Sequence, residues 1–389
     1  MMIVYCTEGH TKMDNKVIQS HNVFGFKIFK QLKKGDGAKN TFISPTSIAM
    51  ALSMLYNGAG GKTKDEIGKV LELNGITLEE LNSTNMEFMN IFTKIDPQID
   101  IAIANSIWVK LKYNLKKSFI EEMKKYYNAR VESVDFESPE TIKLINSWVK
   151  ENTRGKIESV IHEISIDAFT FLINAIYFKG TWSDQFDKKM TKDLDFSISK
   201  GSAKKCPMML RHFENIKYLE EKEFQAIALP YGRTKRVAMY IFLPQDLSAF
   251  IDKLDRGNFE KWIKAFRKTD GDLILPRLKL GYEKILNQIL ASLGMPTAFI
   301  MGATDLKGLL EHPSGQEYID YALHKSFLEV NEEGTVAAAV TSLGIAGGLE
   351  PRKKYFKMAV DHPYFFVIRD DKTGSNLFMG AIEDPSLSQ

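Results

Sequence analysis

The 389-residue sequence is poor in cysteine and has no strong excess of charge of either sign. Its two cysteines, Cys6 and Cys206, form neither a disulfide framework nor a metal-ligand spacing. The 52 basic and 49 acidic residues leave a net charge of +3, which argues against a dedicated nucleic-acid binder. We therefore expect two free thiols and no nucleic-acid partner.

Long apolar runs are also missing. No segment approaches the ~18 consecutive apolar residues of a membrane-spanning helix, so we expect no membrane partner. The N-terminal stretch has an apolar patch of five residues, which is shorter than the roughly 7–15-residue core of a signal peptide. We interpret residues 1–15 as a tail, and this segment alone does not indicate a cellular compartment.

Signatures of catalysis are absent as well. The chain has no G-x-S-x-G nucleophile turn, and His162-Glu163 is not followed by the second histidine of a zinc-protease helix. The seven histidines are scattered, with no pair at the i, i+4 spacing of metal ligands. The sequence therefore predicts no catalytic residue, no metal site and no cofactor.

Helical patterns dominate the first third of the chain and strand patterns the last third. Ser44-Pro45 and Ser138-Pro139 predict helix starts, because serine caps a helix and proline is favoured at its first position. Capping-box patterns predict further starts at Thr63 and Ser118. Strands are predicted at 101–109, 169–178, 237–243, 273–280, 356–360 and 364–369. Since no linker or repeat interrupts this order, we expect one α+β domain over residues 16–389 with large, mainly antiparallel sheets.

One segment near the C-terminus has an unusual composition. After Glu332, Glu333 and Gly334, the residues from Thr335 to Ala346 carry no charge. The glycine and the β-branched residues argue against a committed helix, and the small side chains argue against a core strand. Because strand side chains alternate, both faces of such a strand would be uncharged. The segment therefore suits two states, an exposed loop and a strand inserted between close neighbours.

Four blocks of sequence resemble, in order, the serpins, protease inhibitors that insert a reactive loop into a β-sheet. The blocks are FISPTSI at 42–48, NAIYFKGTW at 174–182, HKSFLEVN at 324–331, and DHPYFFVI at 361–368 followed by LFMG at 377–380. The residues in these blocks resemble those of prokaryotic serpins more than those of vertebrate serpins. The resemblance implies the α+β serpin fold, with three β-sheets, about nine helices and an exposed reactive loop at about residues 332–354.

The resemblance also implies site residues. In matching positions, serpins carry a hinge that enters the main sheet, a polar cluster beneath the middle of that sheet, and a tryptophan under its top. The hinge comprises Glu332, Glu333, Gly334, Thr335, Val336, Ala337, Ala338 and Ala339, the polar cluster Ser44, Ser47, Asn174 and His324, and the tryptophan is Trp182. Val336 stands where serpin hinges commonly carry an acidic residue, so no charge opposes insertion there.

The function implied is that of a monomeric serine protease inhibitor, not an enzyme, which is cleaved as a suicide substrate and traps the protease covalently. In serpins the reactive bond lies fourteen residues after the hinge glycine, so the resemblance implies a reactive bond at Gly348–Leu349. The small residues before it suit elastase-like or subtilisin-like proteases. Cleavage after Leu349 would suit a chymotrypsin-like enzyme, and cleavage after Arg352 a trypsin-like one. A non-inhibitory carrier or chaperone is the alternative, and the family resemblance favours the extracellular space.

Overall fold

The computed structural model describes residues 15–92, 94–198, 201–334 and 355–387. These residues form nine α-helices and fourteen β-strands, which confirms the α+β expectation. The helices are α1 (Asn15–Asp36), α2 (Pro45–Gly58), α3 (Gly61–Val70), α4 (Leu78–Phe92), α5 (Lys117–Tyr127), α6 (Pro139–Asn152), α7 (Leu247–Lys253), α8 (Arg256–Ala265) and α9 (Asn287–Leu293), with short 3-10 turns at Lys188–Met190 and Pro296–Phe299. The strands are β1 (Thr41–Ile43), β2 (Ile99–Lys110), β3 (Arg130–Val134), β4 (Thr170–Gly180), β5 (Lys192–Ser197), β6 (Ala203–Glu220), β7 (Phe224–Tyr231), β8 (Val237–Pro244), β9 (Arg267–Pro276), β10 (Leu278–Ile285), β11 (Tyr321–Val330), β12 (Tyr355–Ala359), β13 (Tyr364–Asp370) and β14 (Ser375–Ile382).

The strands form two hydrogen-bonded sheets within the described ranges. One is five-stranded, in the order β10-β11-β4-β2-β3. The other joins β1-β14-β13-β8-β7-β6-β9-β12, with β5 pairing to β6. Two of the three expected sheets are continuous here, because the 18-residue β6 pairs with β5 at its start, with β9 from Met208 to Tyr218 and with β7 at its end.

The five-stranded sheet is covered on both faces. Alternate residues of β4 point to opposite sides: Leu172 and Ile176 join the main core with α2, whereas Phe171 and Ile173 join a second core beneath α6. A strand entering this sheet would therefore have to bury both of its faces.

Among the described residues, none of the helices combines the length and the apolar character that a membrane span requires.

Local signals placed some elements correctly and others not. Ser44 and Ser138 cap α2 and α6 as predicted, each by accepting a hydrogen bond from a backbone N–H. The two capping-box predictions are wrong, because α3 already begins at Gly61 and α5 at Lys117. The strand predicted at 273–280 is also wrong. It is split at Pro276 into the end of β9 and the start of β10, which belong to different sheets.

Candidate functional site: the hinge and the seam

The five-stranded sheet has one internal pair of parallel neighbours, β4 and β11, and we call the boundary between them the seam. Their outer neighbours, β2 and β10, run antiparallel to them. Pairing across the seam extends from Tyr321–Phe171 to Leu328–Phe178. β11 and β4 each continue two residues beyond that last pair, to Val330 and Gly180. The seam is therefore paired along most of its length and ends short of the strands at its top.

The chain reverses direction at the top of the seam. Asn331 and Gly334 exchange backbone hydrogen bonds of 3.3 and 3.1 Å, which close a four-residue turn directly after β11. Gly334 has a φ of +93°, and a Cβ at this position would lie 2.3 Å from the backbone nitrogen of Trp182 and 2.4 Å from the carbonyl oxygen of Gly180. Only glycine fits there, so the turn brings Gly334 against the upper end of β4.

Trp182 holds this turn from below, as the family resemblance implies. Its indole Nε1 donates to the carbonyl oxygen of Asn331 at 2.9 Å, and its backbone N–H donates to that of Glu333 at 3.0 Å. The ring is buried and stacks on Tyr231 with centroids 4.2 Å apart. The tryptophan is thus a direct hydrogen-bond partner of the hinge as well as part of the core.

The first hinge residue is a buried anion. The Glu332 side chain accepts hydrogen bonds from the guanidinium of Arg277, at 2.8 Å to Nε, and from the hydroxyl of Thr191. Burial by itself would raise the pKa of Glu332, but these hydrogen bonds outweigh it and hold that pKa below its ordinary value. Glu333 forms an ion pair with the exposed Lys188 at 2.5 Å. Glu332 to Gly334 are therefore bonded to the folded body.

The polar cluster lies where the middle of the seam crosses α2. Asn174 on β4 and His324 on β11 are register partners, and His324 Nδ1 lies 2.7 Å from Asn174 Oδ1. The amide of Asn174 donates to Ser47 Oγ at 2.6 Å, and the backbone N–H of Ser44 donates to His324 Nε2 at 3.3 Å. All four side chains are buried. The structure thus brings together every predicted member of this cluster.

These contacts fix the tautomer and the charge of His324. Because Nε2 accepts a hydrogen bond from Ser44, the ring proton lies on Nδ1 and is donated to Asn174. Burial lowers the pKa of His324 to about 3, so the ring is neutral at neutral pH. The side-chain hydrogen bond from His324 to Asn174 spans the seam, and separating β4 from β11 would break it.

Sequence reasoning missed two members of the site. Asn105 on β2 accepts a hydrogen bond from Asn174 at 2.6 Å and extends the polar row across three strands. Its signal was an asparagine on the apolar face of the predicted strand 101–109. Arg277, the partner of Glu332, had no local signal. Thr335, Val336, Ala337, Ala338, Ala339, Gly348 and Leu349 lie outside the described residues.

Several known proteins are similar to this chain in sequence and in structure. A family model described as Serpin (serine protease inhibitor) matches residues 19–385. The human (Homo sapiens) leukocyte elastase inhibitor is 34% identical over 380 residues, which cover 93% of this chain and 97% of that protein. The native-state structure of tengpin, a thermophilic serpin, matches with a TM-score of 0.87 at 30% identity, covering 96% of this chain and 95% of that one. Human thyroxine-binding globulin, solved with thyroxine, matches with a TM-score of 0.86 at 25% identity, covering 96% and 99%.

The chain therefore belongs to the serpin family and has the serpin fold. Its family consists of protease inhibitors and binding proteins, so the chain is not an enzyme. Inhibitory members stand among its relatives, and a globulin that binds a small hormone stands among its structural neighbours.

Proposed function

We propose that this protein inhibits a serine protease as a suicide substrate, with the reactive bond at Gly348–Leu349. The observation that carries the proposal is the geometry at the top of the seam. Pairing between β4 and β11 stops short there, and the turn ending at Gly334 brings the chain to that opening. A segment continuing from Gly334 into the seam would run antiparallel to both strands.

Insertion is favourable for a physical reason. The parallel pair β4–β11 would be replaced by two antiparallel pairs, which are slightly more stable per residue. Roughly ten new ladder hydrogen bonds, at about 0.5–1.5 kcal/mol net each, would form as well. The residues from Thr335 to Ala346 carry no charge, so both covered faces of the sheet can accept them.

The trapping step follows from ordinary serine protease chemistry. The protease serine attacks the Gly348 carbonyl, an ester forms, and the amine of Leu349 leaves with the C-terminal fragment. The freed N-terminal arm inserts into the seam and carries the attached protease along, distorting its active site so that the ester persists. The inhibitor acts as a monomer and supplies no catalytic group, metal or cofactor.

The target class follows from the residues before the proposed bond. Ile345, Ala346, Gly347 and Gly348 are mostly small and suit the shallow primary pockets of elastase-like or subtilisin-like proteases. A relative named leukocyte elastase inhibitor supports the elastase-like choice. Leu349 and Arg352 remain the sites at which chymotrypsin-like and trypsin-like enzymes would cut. The extracellular space is proposed as the site of action on family resemblance alone.

The test is incubation of the full-length protein with an elastase-like protease, followed by denaturing gel electrophoresis and sequencing of the released peptide. The expected result is a denaturant-resistant adduct and a peptide that begins at Leu349. A peptide beginning at Lys353 would refute the bond assignment and indicate a trypsin-like target. Cleavage without any adduct, across elastase-like, subtilisin-like and trypsin-like enzymes, would refute the inhibitor proposal.

A carrier is the second candidate, supported by the similarity to thyroxine-binding globulin. The two functions differ in what loop cleavage does. An inhibitor's cleaved loop completes the sheet, so the cleaved protein should melt well above the intact protein. A cleaved form that melts no higher than the intact form would favour the carrier.

A further inference from the structure

At the foot of the seam, opposite the hinge, one acidic side chain forms hydrogen bonds across to the start of β4. Asp320 directly precedes β11, and its carboxylate Oδ2 accepts hydrogen bonds from the backbone N–H groups of Phe169 and Thr170 at the start of β4. The second of these bonds is 3.0 Å long. Asp320 also donates its own backbone N–H to the carbonyl oxygen of Thr170 at 3.0 Å. We call the two bonds to the carboxylate the clasp.

The clasp differs in kind from the other contacts near it. A backbone ladder can exchange one neighbouring strand for another, because an inserted strand offers the same N–H and C=O groups. The carboxylate of Asp320 accepts from the N–H groups of Phe169, just before β4, and of Thr170, its first residue, directly across the seam. Neighbouring strands lie about 4.8 Å apart, so a strand inserted to full depth would move Asp320 away by about that distance and break the side-chain bonds.

The turn at the top of the seam indicates at which stage of insertion the clasp would open. Gly334 faces Asn331, so each residue further along an inserted loop would face one residue earlier on β11. On that register Thr341 would lie opposite His324, and Ile345 opposite Asp320. The polar cluster would be passed midway, and the clasp would open only in the last stage, shortly before the proposed reactive bond at Gly348 reaches the foot.

We propose that Asp320 is a positioning residue that controls full-depth loop insertion, holding the foot of the seam closed until the last stage of that movement. This inference rests on the proposed inhibitory function, because it assigns Asp320 a role in the same insertion. The clasp exists in the intact protein and is open in the inserted one. Removing the clasp therefore lowers the stability of the intact protein and leaves the stability of the inserted protein unchanged.

The surroundings of Asp320 define the competing, purely structural explanation. Asn287 at the start of α9 donates to the Asp320 carbonyl oxygen at 2.7 Å and accepts from the backbone of Ala322 at 2.9 Å. The Tyr318 hydroxyl donates to the carbonyl oxygen of Asp167 at 3.2 Å. If Asp320 served only to fold this corner, its loss would weaken intact and cleaved protein equally, so the experiment has to compare the two.

The experiment uses full-length Asp320→Ala and Asp320→Asn, each intact and loop-cleaved. Intact protein is warmed, and samples are tested over time for the fraction whose loop an added elastase-like protease can still cut. A hydrogen bond to a carboxylate is strong enough to change a rate about tenfold. We expect Asp320→Ala to lose its cleavable loop at least about tenfold faster than wild type, and Asp320→Asn, which keeps one neutral acceptor, to fall between them. Both cleaved variants should melt at the wild-type cleaved temperature.

Glu317→Gln is the matched control. Glu317 is a buried carboxylate near the start of β11 that accepts backbone hydrogen bonds within its own loop, from Ser314 and Gly315, and does not reach β4. Its loss should lower intact and cleaved melting temperatures alike. A wild-type rate for Asp320→Ala, or equal losses in its two forms, would overturn the inference while the proposed function stands. A cleaved wild-type protein that melts no higher than the intact one would overturn the proposed function itself.

Discussion

Replacement of Gly334 by alanine tests the native hinge most directly. The φ of +93° lies in the left-handed region, and the added Cβ would approach the backbone of Trp182 to 2.3 Å and that of Gly180 to 2.4 Å. Both contacts are with backbone atoms, so no side-chain rotation can relieve them. We therefore expect Gly334→Ala to push the turn away from the top of β4.

The free energy of unfolding lost in Gly334→Ala has two parts. An alanine in the left-handed region costs about 1–2 kcal/mol. Displacing the turn also weakens the bond from the Trp182 N–H to Glu333 and the pair between Asn331 and residue 334, at about 0.5–1.5 kcal/mol each. With the two bonds of that pair counted separately, the total is about 2.5–6.5 kcal/mol. At about 2.1 cal/mol/K of unfolding entropy per residue over this chain, the intact protein should melt about 5 °C lower.

Gly75→Ala separates the two parts. Gly75 also has a positive φ, +68°, but a Cβ there meets nothing within 4 Å, so only the conformational cost remains, about 2 °C. Melting curves of intact and loop-cleaved protein then decide. If insertion moves the turn clear of Trp182 and Gly180, cleaved Gly334→Ala keeps only the conformational loss that Gly75→Ala shows. An intact Gly334→Ala that melts no lower than Gly75→Ala would refute the close-packing argument, and equal losses in both forms would refute a movement of the hinge away from β4.

Thr335→Arg should fold normally and be cleaved as a substrate with almost no covalent complex, because burying an unpaired guanidinium delays the first step of insertion. A wild-type yield of complex on a denaturing gel would contradict this. Arg277→Gln removes the main partner of the buried Glu332 carboxylate and should lower the stability of the intact protein by about 3 kcal/mol in thermal or urea melts. Since burial lowers the pKa of His324 to about 3, the unfolded chain takes up a proton that the folded chain refuses. This contribution to stability is complete above about pH 6.5 and is lost as the pH falls toward 3, by about 3 kcal/mol at pH 4.5. His324→Gln should flatten the pH dependence of the melting temperature.

Sequence patterns predicted structure well where a short segment decides it. Ser44 and Ser138 cap helices because each side chain accepts a hydrogen bond from a backbone N–H of the first helical turn. The proline after each serine is favoured at the first helical position. The box predicted between Thr63 and Glu66 failed because Glu66 bonds to Thr297 instead, accepting from its backbone N–H at 3.0 Å and from its hydroxyl at 2.7 Å. A contact between residues 231 positions apart has no local signal.

The candidate site also has residues that the sequence identified and contacts that it did not. The blocks that resemble serpins identified His324, Asn174 and Trp182, because each stands inside a recognisable run. Their hydrogen bonds could not be predicted, since these depend on the parallel register between β4 and β11. Arg277 was missed because its partner, Glu332, lies 55 residues further along the chain. Pairings set by sheet topology therefore needed the structure.

The sheet also leaves hydrogen-bonding capacity unused. Among the described residues, Asn105 Nδ2 on β2 and Thr170 Oγ1 on β4 are buried without a hydrogen-bond partner. Each such group costs about 1–3 kcal/mol, so an arrangement of the sheet that paired them would gain that much. The seam is unpaired at its top beside Gly334 and closed at its foot by Asp320. A sheet with these features resists opening from below and admits a strand from above, so insertion has one direction, from the hinge toward the clasp.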